Sequence, residues 1–285
     1  MRLLVFLVFV LIAFAGNSVL NRMALVGEGA IGALEFAMIR VLAGALVLAV
    51  FVRWRSGRRE RKASTQREIR SAGALALYLL GFSLAYLSLP AGLGALILFG
   101  GVQITMFAGA VLGGEAVPRQ RWIGAGLAFA GLVYLLWPSG AGAPDPLGAV
   151  LMAAAALGWG VYSLIGRSSQ DPLADTARNF LLAVFPVGAA MFIAAAAGAG
   201  AEVPLRGALL GIASGAVTSG LGYALWFRVL PQLSPSVAAV AQLTVPLVAM
   251  VGGMIFLTEP LTLRFAIASA IVLGGVAFAV LAPKG

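Results

Sequence analysis

The sequence of 285 residues contains no cysteine and no histidine. The first absence excludes disulfides, iron–sulfur clusters and thiolate catalysis. The second removes the commonest metal ligand and the side chain that titrates nearest to neutral pH. Charged residues are also scarce, at 10%, whereas 61% of the residues are hydrophobic. Because a soluble domain is about half apolar and about a quarter charged, this composition predicts one membrane domain and no separate soluble domain.

The apolar residues are arranged in long runs, and a helix needs about 20 of them to cross a bilayer. The runs predict ten transmembrane helices, at 3–21, 31–52, 71–89, 91–113, 121–137, 147–166, 179–198, 207–229, 236–257 and 264–282. The weakest break is at Pro90, which disfavours helix just before it and so favours a tight turn. A nine-helix interpretation would join the two helices there. The first run also resembles a signal peptide behind Arg2, although we expect an uncleaved span.

The basic residues predict an orientation for the chain. If the N-terminus is cytoplasmic, all but four of the 19 Lys and Arg residues lie on the cytoplasmic side of the membrane. Three of the exceptions, Arg22, Arg206 and Arg264, lie on the outer side, and Arg40 lies within a span. This asymmetry predicts a plasma (inner) membrane protein with both termini cytoplasmic. The formal charge of +9 then reflects topology and contact with anionic lipid, and not nucleic-acid binding.

The two halves of the chain show weak similarity to each other. A shift of 144 residues places Glu115 on Glu259 and Gly109 on Gly253, and acidic residues are rare in this chain. The predicted halves are 1–143 and 144–285, with five helices each. Since five is odd, the second half would be inverted relative to the first, as in many transporters.

Several short motifs along the whole chain resemble those of one family. They are Phe14-Ala15-Gly16-Asn17-Ser18, Phe36-Ala37-Met38-Ile39-Arg40, Gly113-Gly114-Glu115, Leu157-Gly158-Trp159-Gly160-Val161-Tyr162, Leu257-Thr258-Glu259-Pro260, and Ser234-Pro235-Ser236 with Pro246. With them the chain resembles the drug/metabolite transporter superfamily and, within it, the EamA-type ten-helix exporters. The resemblance implies an all-α integral membrane fold of two inverted five-helix repeats around a central cavity. It also implies export of small organic solutes, with the aromatic amino acid exporters as the most similar group. The sequence departs from the family at Ala15, where many members have Trp.

Four aromatic residues are candidates for lining a substrate site. Trp159 lies mid-span between two glycines, although Trp usually prefers the membrane interface. Tyr78 and Phe82 share one face of the third helix with Tyr86, and Tyr223 lies on the eighth helix. Tyrosine hydroxyls need hydrogen-bond partners at this depth, which a polar ligand would supply. Packing between helices is the alternative interpretation for each of them.

Three polar residues are further candidates. Arg40 lies deep in a span, at a cost of at least about 2.5 kcal/mol unless it is paired. It would meet a substrate carboxylate or a gate, or alternatively carbonyls at a helix end. Asn17 would bind ligand or join helices. Pro246 cannot donate to the carbonyl of Gln242, which predicts a kink whose polar patch faces a cavity or is satisfied by a neighbouring helix.

The remaining acidic residues do not indicate catalysis. We expect Glu115 and Glu259 to cap helix ends and not to couple protons. No Walker sequence, metal cluster or nucleophile–base–acid set is present, so we expect no enzyme, cofactor or metal. The predicted function is a secondary transporter that exports small metabolites, most of all amino acids, by alternating access. Its partners would be a small-molecule substrate and the bilayer, and a monomer would suffice. The alternatives are a drug or other organic-solute exporter, or a membrane enzyme acting on lipid.

Overall fold

The computed structural model describes residues 2–55, 65–114, 117–137, 143–166, 169–229, 232–233 and 241–281. Within these ranges the chain forms helices and no strands. The helices are α1 (Arg2–Leu25), α2 (Ala33–Trp54), α3 (Thr65–Ala85), α4 (Ala91–Leu112), α5 (Arg119–Leu136), α6 (Pro146–Gly166), α7 (Pro172–Ala196), α8, α9 (Val245–Leu257) and α10 (Leu263–Leu281). The helix α8 comprises the α-helical segments Leu205–Ala213 and Gly222–Val229, joined by the π-helical segment Ser214–Leu221.

Eight of these helices are long and apolar enough to cross a membrane. The other two are α5, with 18 residues and two arginines in its first turn, and α9, a shorter apolar helix of 13 residues. The prediction of about ten helices in an all-α membrane protein is therefore confirmed. The break before Pro90 is confirmed as well, because α3 ends at Ala85 and Pro90 precedes the first residue of α4. The nine-helix interpretation is wrong.

Two predicted helix starts are wrong. The helix expected from residue 179 begins at Pro172, because the Asp171 side chain accepts a hydrogen bond from the backbone N–H of Ala174 and Pro172 occupies the first turn. Asp before Pro is a strong start signal for a helix. The helix expected from residue 71 begins at Thr65. Its first turn is charged, so an apolar run alone placed the start too late.

The predicted kink at Pro246 is also wrong. Residues 241–242 are helical, Leu243 and Thr244 form a turn, and α9 begins at Val245 with Pro246 in its first turn. A proline there loses no helical hydrogen bond, because the first N–H groups of a helix are unpaired in any case. The start of the predicted helix, at 236–240, lies outside the described residues, as do Glu115 and most of the basic loop that follows α2.

The helices pack closely where glycines allow the backbones to approach. Helix α3 packs on α6, α2 on α7, α5 on α10, α4 on α6 and α9, and α1 on α8 and α9. A Cβ on Gly81 would lie 2.7 Å from the carbonyl oxygen of Leu151, and one on Gly124 would lie 2.4 Å from that of Gly275. Small residues are used in this way where helices meet in membranes.

The three arginines predicted on the outer side share a structural role. Each donates hydrogen bonds to backbone carbonyls: Arg22 to Tyr86 and Leu87, Arg206 to Glu28, and Arg264 to Tyr134 and Trp137. Basic side chains stabilise helix C-termini in this way, because the last carbonyls lack partners within the helix. We call this end of the bundle, where α1, α3 and α5 finish, the Arg22 end. The opposite end, where α2 finishes, is the Arg55 end.

Candidate substrate site around Arg40

Arg40 is a fully buried cation in the middle of the bundle. It lies on α2, and its guanidinium donates from Nη2 to the hydroxyl of Tyr78 (2.7 Å) and from Nε to Oγ of Ser219 (3.3 Å). The rings of Tyr78 and Phe82 lie 5.1 and 4.9 Å from the guanidinium carbon. Its remaining nitrogen, Nη1, has no hydrogen-bond partner among the described residues. Arg40 therefore contacts side chains of α3 and α8 and does not cap a helix end.

Asn17 joins three helices beside Arg40. Its Nδ2 donates to the Tyr78 hydroxyl (3.2 Å), so that hydroxyl accepts from both Asn17 and Arg40. Its Oδ1 accepts from Oγ of Ser214 (2.6 Å) and from Oγ1 of Thr218 (3.1 Å). These contacts connect α1, α3 and α8. The expected helix-joining role of Asn17 is present in the structure, one contact away from the buried cation.

The π-helical segment of α8 places the small polar residues of the site. Ser214, Thr218 and Ser219 all lie in it and are all buried. Segments of π-helix occur frequently at functional sites in membrane and soluble proteins. Gly215, in the same segment, lies against α2, because a Cβ there would be 2.3 Å from the carbonyl oxygen of Arg40. The close approach of α2 and α8 thus brings Ser219 to Arg40.

Aromatic rings form one side of the site. Trp159 stacks on Tyr223 with 5.2 Å between the ring centroids and a 25° angle between the planes. It also lies 4.9 Å from Tyr78, and Tyr78 lies 5.2 Å from Phe82. Phe14 of α1 completes the cluster by an edge contact with Tyr223 at 5.9 Å. The rings come from α1, α3, α6 and α8, so the cluster exists only in the folded bundle.

Within the described part of the chain, no carboxylate compensates the cation. Among the described residues, no Asp or Glu forms an ion pair with Arg40. Glu35, on the same helix, instead accepts from the backbone N–H of Ala201 at 3.1 Å. A buried cation without an anionic partner is costly in a membrane, and such residues usually mark a ligand or ion pathway.

Six of the seven predicted site residues lie in this one cluster: Asn17, Arg40, Tyr78, Phe82, Trp159 and Tyr223. The seventh, Gln242, is half-buried just before the turn that precedes α9, and no hydrogen bond within the described part of the chain joins it to the cluster. The glycines on either side of Trp159 allow close packing of α6 against its neighbours. Gly158 lies against the backbone of α3 and Gly160 against Thr105 of α4, with 2.7 and 2.6 Å from their built Cβ positions.

Sequence reasoning did not predict Ser214, Thr218 or Ser219 as site residues. A signal was present, because Ser214 and Thr218 are four residues apart and three small hydroxyl residues within one apolar span are unusual. Phe14 and Tyr162 were missed as members of the aromatic cluster. Tyr162 lies 5.6 Å from Trp159, and its hydroxyl donates to Thr176 at 3.3 Å.

A multi-pass helical bundle with a buried, unneutralised cation beside aromatic rings is typical of a membrane transporter of small solutes. Comparison with known proteins agrees: the model of the EamA-like transporter family matches residues 146–281. Residues 146–281 therefore form an EamA-like transporter domain, and the chain is a multi-pass membrane protein.

Two relatives and one solved structure extend the similarity. An uncharacterized protein of Pseudomonas aeruginosa is 45% identical over 286 residues, which is 99% of this chain and 96% of the relative. An uncharacterized transporter of Archaeoglobus fulgidus is 27% identical over 165 residues, 57% of this chain and 58% of the relative. A crystal structure shares the fold with a TM-score of 0.64 and 21% identity, covering 96% of this chain and 98% of the other.

Proposed function

We propose that this protein is a secondary transporter that exports amino acids, aromatic ones by preference, across the plasma membrane by alternating access. The observation that carries the proposal is the Nη1 group of Arg40, a buried donor without a partner among the described residues. It lies by the ring of Tyr78, which in turn contacts Trp159. A guanidinium binds carboxylates through paired hydrogen bonds. The α-carboxylate of an amino acid would satisfy this group, and a planar side chain would suit the adjacent rings.

The surrounding oxygens support a zwitterionic substrate. Asn17 Oδ1, Ser214 Oγ and Thr218 Oγ1 lie together next to the Tyr78 hydroxyl. They are neutral acceptors for an ammonium group, and they avoid a second buried charge in the empty site. A carboxylate there would instead pair with Arg40 and compete with the substrate. This arrangement favours an amino acid over a cationic drug.

The packing supports two inverted halves, 1–143 and 144–285. Helices α2, α4 and α5 pack on α7, α9 and α10, so each packs on the helix five places further along the chain. The pair α3 and α6 likewise corresponds to the pair α8 and α1. A two-fold axis in the membrane plane that relates the two repeats would produce this pairing, because it places each helix on its equivalent in the other half. With both termini cytoplasmic, rocking of the halves would expose the Arg40 site to either side.

A counterflow assay in proteoliposomes tests the proposal without an imposed ion gradient. Vesicles loaded with one amino acid should accumulate the labelled amino acid faster than empty vesicles, and aromatic amino acids should compete best. Trp159→Ala should reduce uptake and weaken the aromatic preference, whereas Trp122→Ala, at an exposed tryptophan on α5, should leave both unchanged. Accumulation of an organic cation in place of amino acids would favour the drug-exporter alternative. No flux of any solute would contradict the proposal.

A second variant tests the role of Arg40. Arg40→Gln places an amide near the position of Nε, beside Ser219, but removes the charge and the Nη2 contact with Tyr78. We expect loss of saturable uptake, with retained binding of neutral aromatic analogues that lack the carboxylate. Equal effects on charged and neutral ligands would show that Arg40 serves packing alone.

A further inference from the structure

The turn between α3 and α4 is held at both of its ends by one pair of charged side chains. Arg22, in the last turn of α1, donates from Nη1 to the carbonyls of Tyr86 (2.7 Å) and Leu87 (2.8 Å), where α3 has just ended. The carboxylate of Glu259, which follows α9, accepts from the backbone N–H of Ala91 with both oxygens (3.0 and 2.8 Å). Ala91 is the first residue of α4, where a negative charge is favoured.

The same pair joins the two halves of the chain. Arg22 Nε lies 3.6 Å from Glu259 Oε1, and the two side chains are only 19% and 9% exposed. Arg22, Tyr86 and Ala91 belong to residues 1–143, whereas Glu259 belongs to 144–285. The expected capping role of Glu259 is thus confirmed, but the helix that it caps is in the other half.

The backbone around Glu259 is shaped for this contact. Helix α9 ends at Leu257, and the next residue, Thr258, has the left-handed conformation (φ 54°). The Glu259 N–H donates to the carbonyl of Gly253 at 3.1 Å. A Cβ on Gly253 would lie only 2.3 Å from Glu259 Oε2. The carboxylate therefore lies folded back over Gly253, and a methyl group there would push it away from Ala91.

A direct line of contacts leads from this pair to the Arg40 site. Tyr86 is fully buried, and its hydroxyl donates to the carbonyl of Ala91 at 3.3 Å. Its ring lies 4.7 Å from Phe82, edge to face, and Phe82 lies beneath the guanidinium of Arg40. A movement of the α3–α4 turn would therefore shift two rings that enclose the site.

We propose that Arg22 and Glu259 form a latch that closes the Arg22 end of the transporter, and that its release opens the Arg40 site to that side of the membrane. The inference rests on the proposed alternating access, because rocking of the halves would have to separate Glu259 from Ala91 and Arg22. Interfaces of this kind have discrete arrangements, so losing one contact shifts the population of closed and open states.

Cysteine accessibility tests the latch without any substrate, and the chain contains no native cysteine to remove. Ser18→Cys is the reporter: Ser18 is 1% exposed and lies one turn before Arg22 on α1. A membrane-impermeant maleimide is applied to intact cells and, separately, to inside-out vesicles. Glu28→Cys, at an exposed position of the Arg22 end, establishes which preparation presents that end.

Two variants release the latch in different ways. Glu259→Ala removes the carboxylate, and Gly253→Ala displaces it while keeping both charges. Each should accelerate labelling of the reporter from the Arg22 end by about tenfold, which corresponds to about 1.4 kcal/mol in the balance of closed and open states. Labelling from the opposite side should fall or stay the same. Thermal unfolding of each variant in detergent checks that the labelled protein is folded.

Two controls distinguish a latch from general loosening. Ser88→Ala removes an exposed hydrogen bond to Asp145 at the same end (2.9 Å), and Glu68→Ala removes an exposed ion pair with Arg178 at the other end. Neither should change labelling from the Arg22 end. Unchanged labelling in both latch variants, or equal acceleration from both sides, would overturn the latch. Unchanged labelling together with normal counterflow would leave the proposed function standing, whereas faster labelling without any flux would retain the latch and overturn the function.

Discussion

The two ends of the bundle hold the halves of the chain together by different means. At the Arg22 end, one shielded Arg–Glu pair satisfies backbone groups at the ends of two helices. At the Arg55 end, three ion pairs between described residues connect the end of α2 and the start of α3 to the start of α7: Arg55–Asp171, Arg178–Glu68 and Arg67–Asp175. All three are half-exposed, and the arginine side chains are between 35% and 53% accessible.

The difference in burial decides how much each end resists opening. Exposed ion pairs contribute about 0.2–1 kcal/mol each and are weakened by salt. A charge that is shielded and hydrogen-bonded to backbone is costly to separate, because its removal leaves buried groups without partners. The bundle therefore has a firm end and a labile end. Under the proposed alternating access, this asymmetry predicts that the empty transporter opens more readily at the Arg55 end.

Of the substitutions at the two ends, Arg22→Ala should lower the free energy of unfolding most. It leaves the carbonyls of Tyr86 and Leu87 without a donor and the Glu259 carboxylate without its cation. We expect the free energy of unfolding to fall by about 2 kcal/mol, measured by thermal unfolding in detergent. Arg206→Ala is the matched control at the same end, because Arg206 is exposed and, among the described residues, donates to Glu28 alone. An equal loss of stability in both variants would show that the shielded contacts of Arg22 stabilise the bundle no more than the exposed contact of Arg206.

Glu259→Gln should lower the free energy of unfolding by less than Arg22→Ala does, because an amide oxygen still accepts from the Ala91 N–H. Burial raises the pKa of Glu259, opposed by the Ala91 N–H and by Arg22. A pKa that is higher in the folded state than in the unfolded chain means that folding disfavours the ionised carboxylate. Wild-type stability should therefore improve relative to Glu259→Gln as the pH falls from neutral through the raised pKa. Melting temperatures of both proteins across this pH range test the sign; a constant difference would contradict it.

Glu68→Gln should have the smallest effect, at the labile end. The Glu68 and Arg178 side chains are 23% and 47% exposed, so we expect a loss of about 0.5 kcal/mol or less. That loss should disappear in high salt, because exposed charges are screened. Melting curves at low and high ionic strength provide the measurement. A salt-independent loss as large as that of Arg22→Ala would remove the distinction between the ends.

Much of the fold followed from local signals in the sequence. Hydrophobic length gave the number of helices, and Pro90 located the turn between α3 and α4. The spacing of Tyr78, Phe82 and Tyr86 placed their rings on one face, where they contact one another. Helix starts were less predictable where a charged first turn extended beyond the apolar run, as at Thr65. The break before α9 was mistaken for a kink, because Pro246 is compatible with either.

Most members of the Arg40 cluster were predictable as individual residues, but their arrangement was not. Arg40 stands out because a charge in a span is rare, and Trp159 because tryptophan is unusual at that depth. Their partners could not be read from the chain, since Arg40 and Ser219 are 179 positions apart. The π-helical segment of α8 has no clear local signature, and it decides which of its hydroxyls meet Asn17.

The sequence by itself determined that this protein is an integral membrane protein of about ten helices with few charges. It did so because hydrocarbon imposes a length and a composition on every span. Only the tertiary structure decided what the rare charges do. Arg40 became a buried cation with a spare donor, and Glu259 became a cap for a helix in the other half. Both outcomes depend on contacts between distant helices, which side-chain packing and close backbone approach establish together.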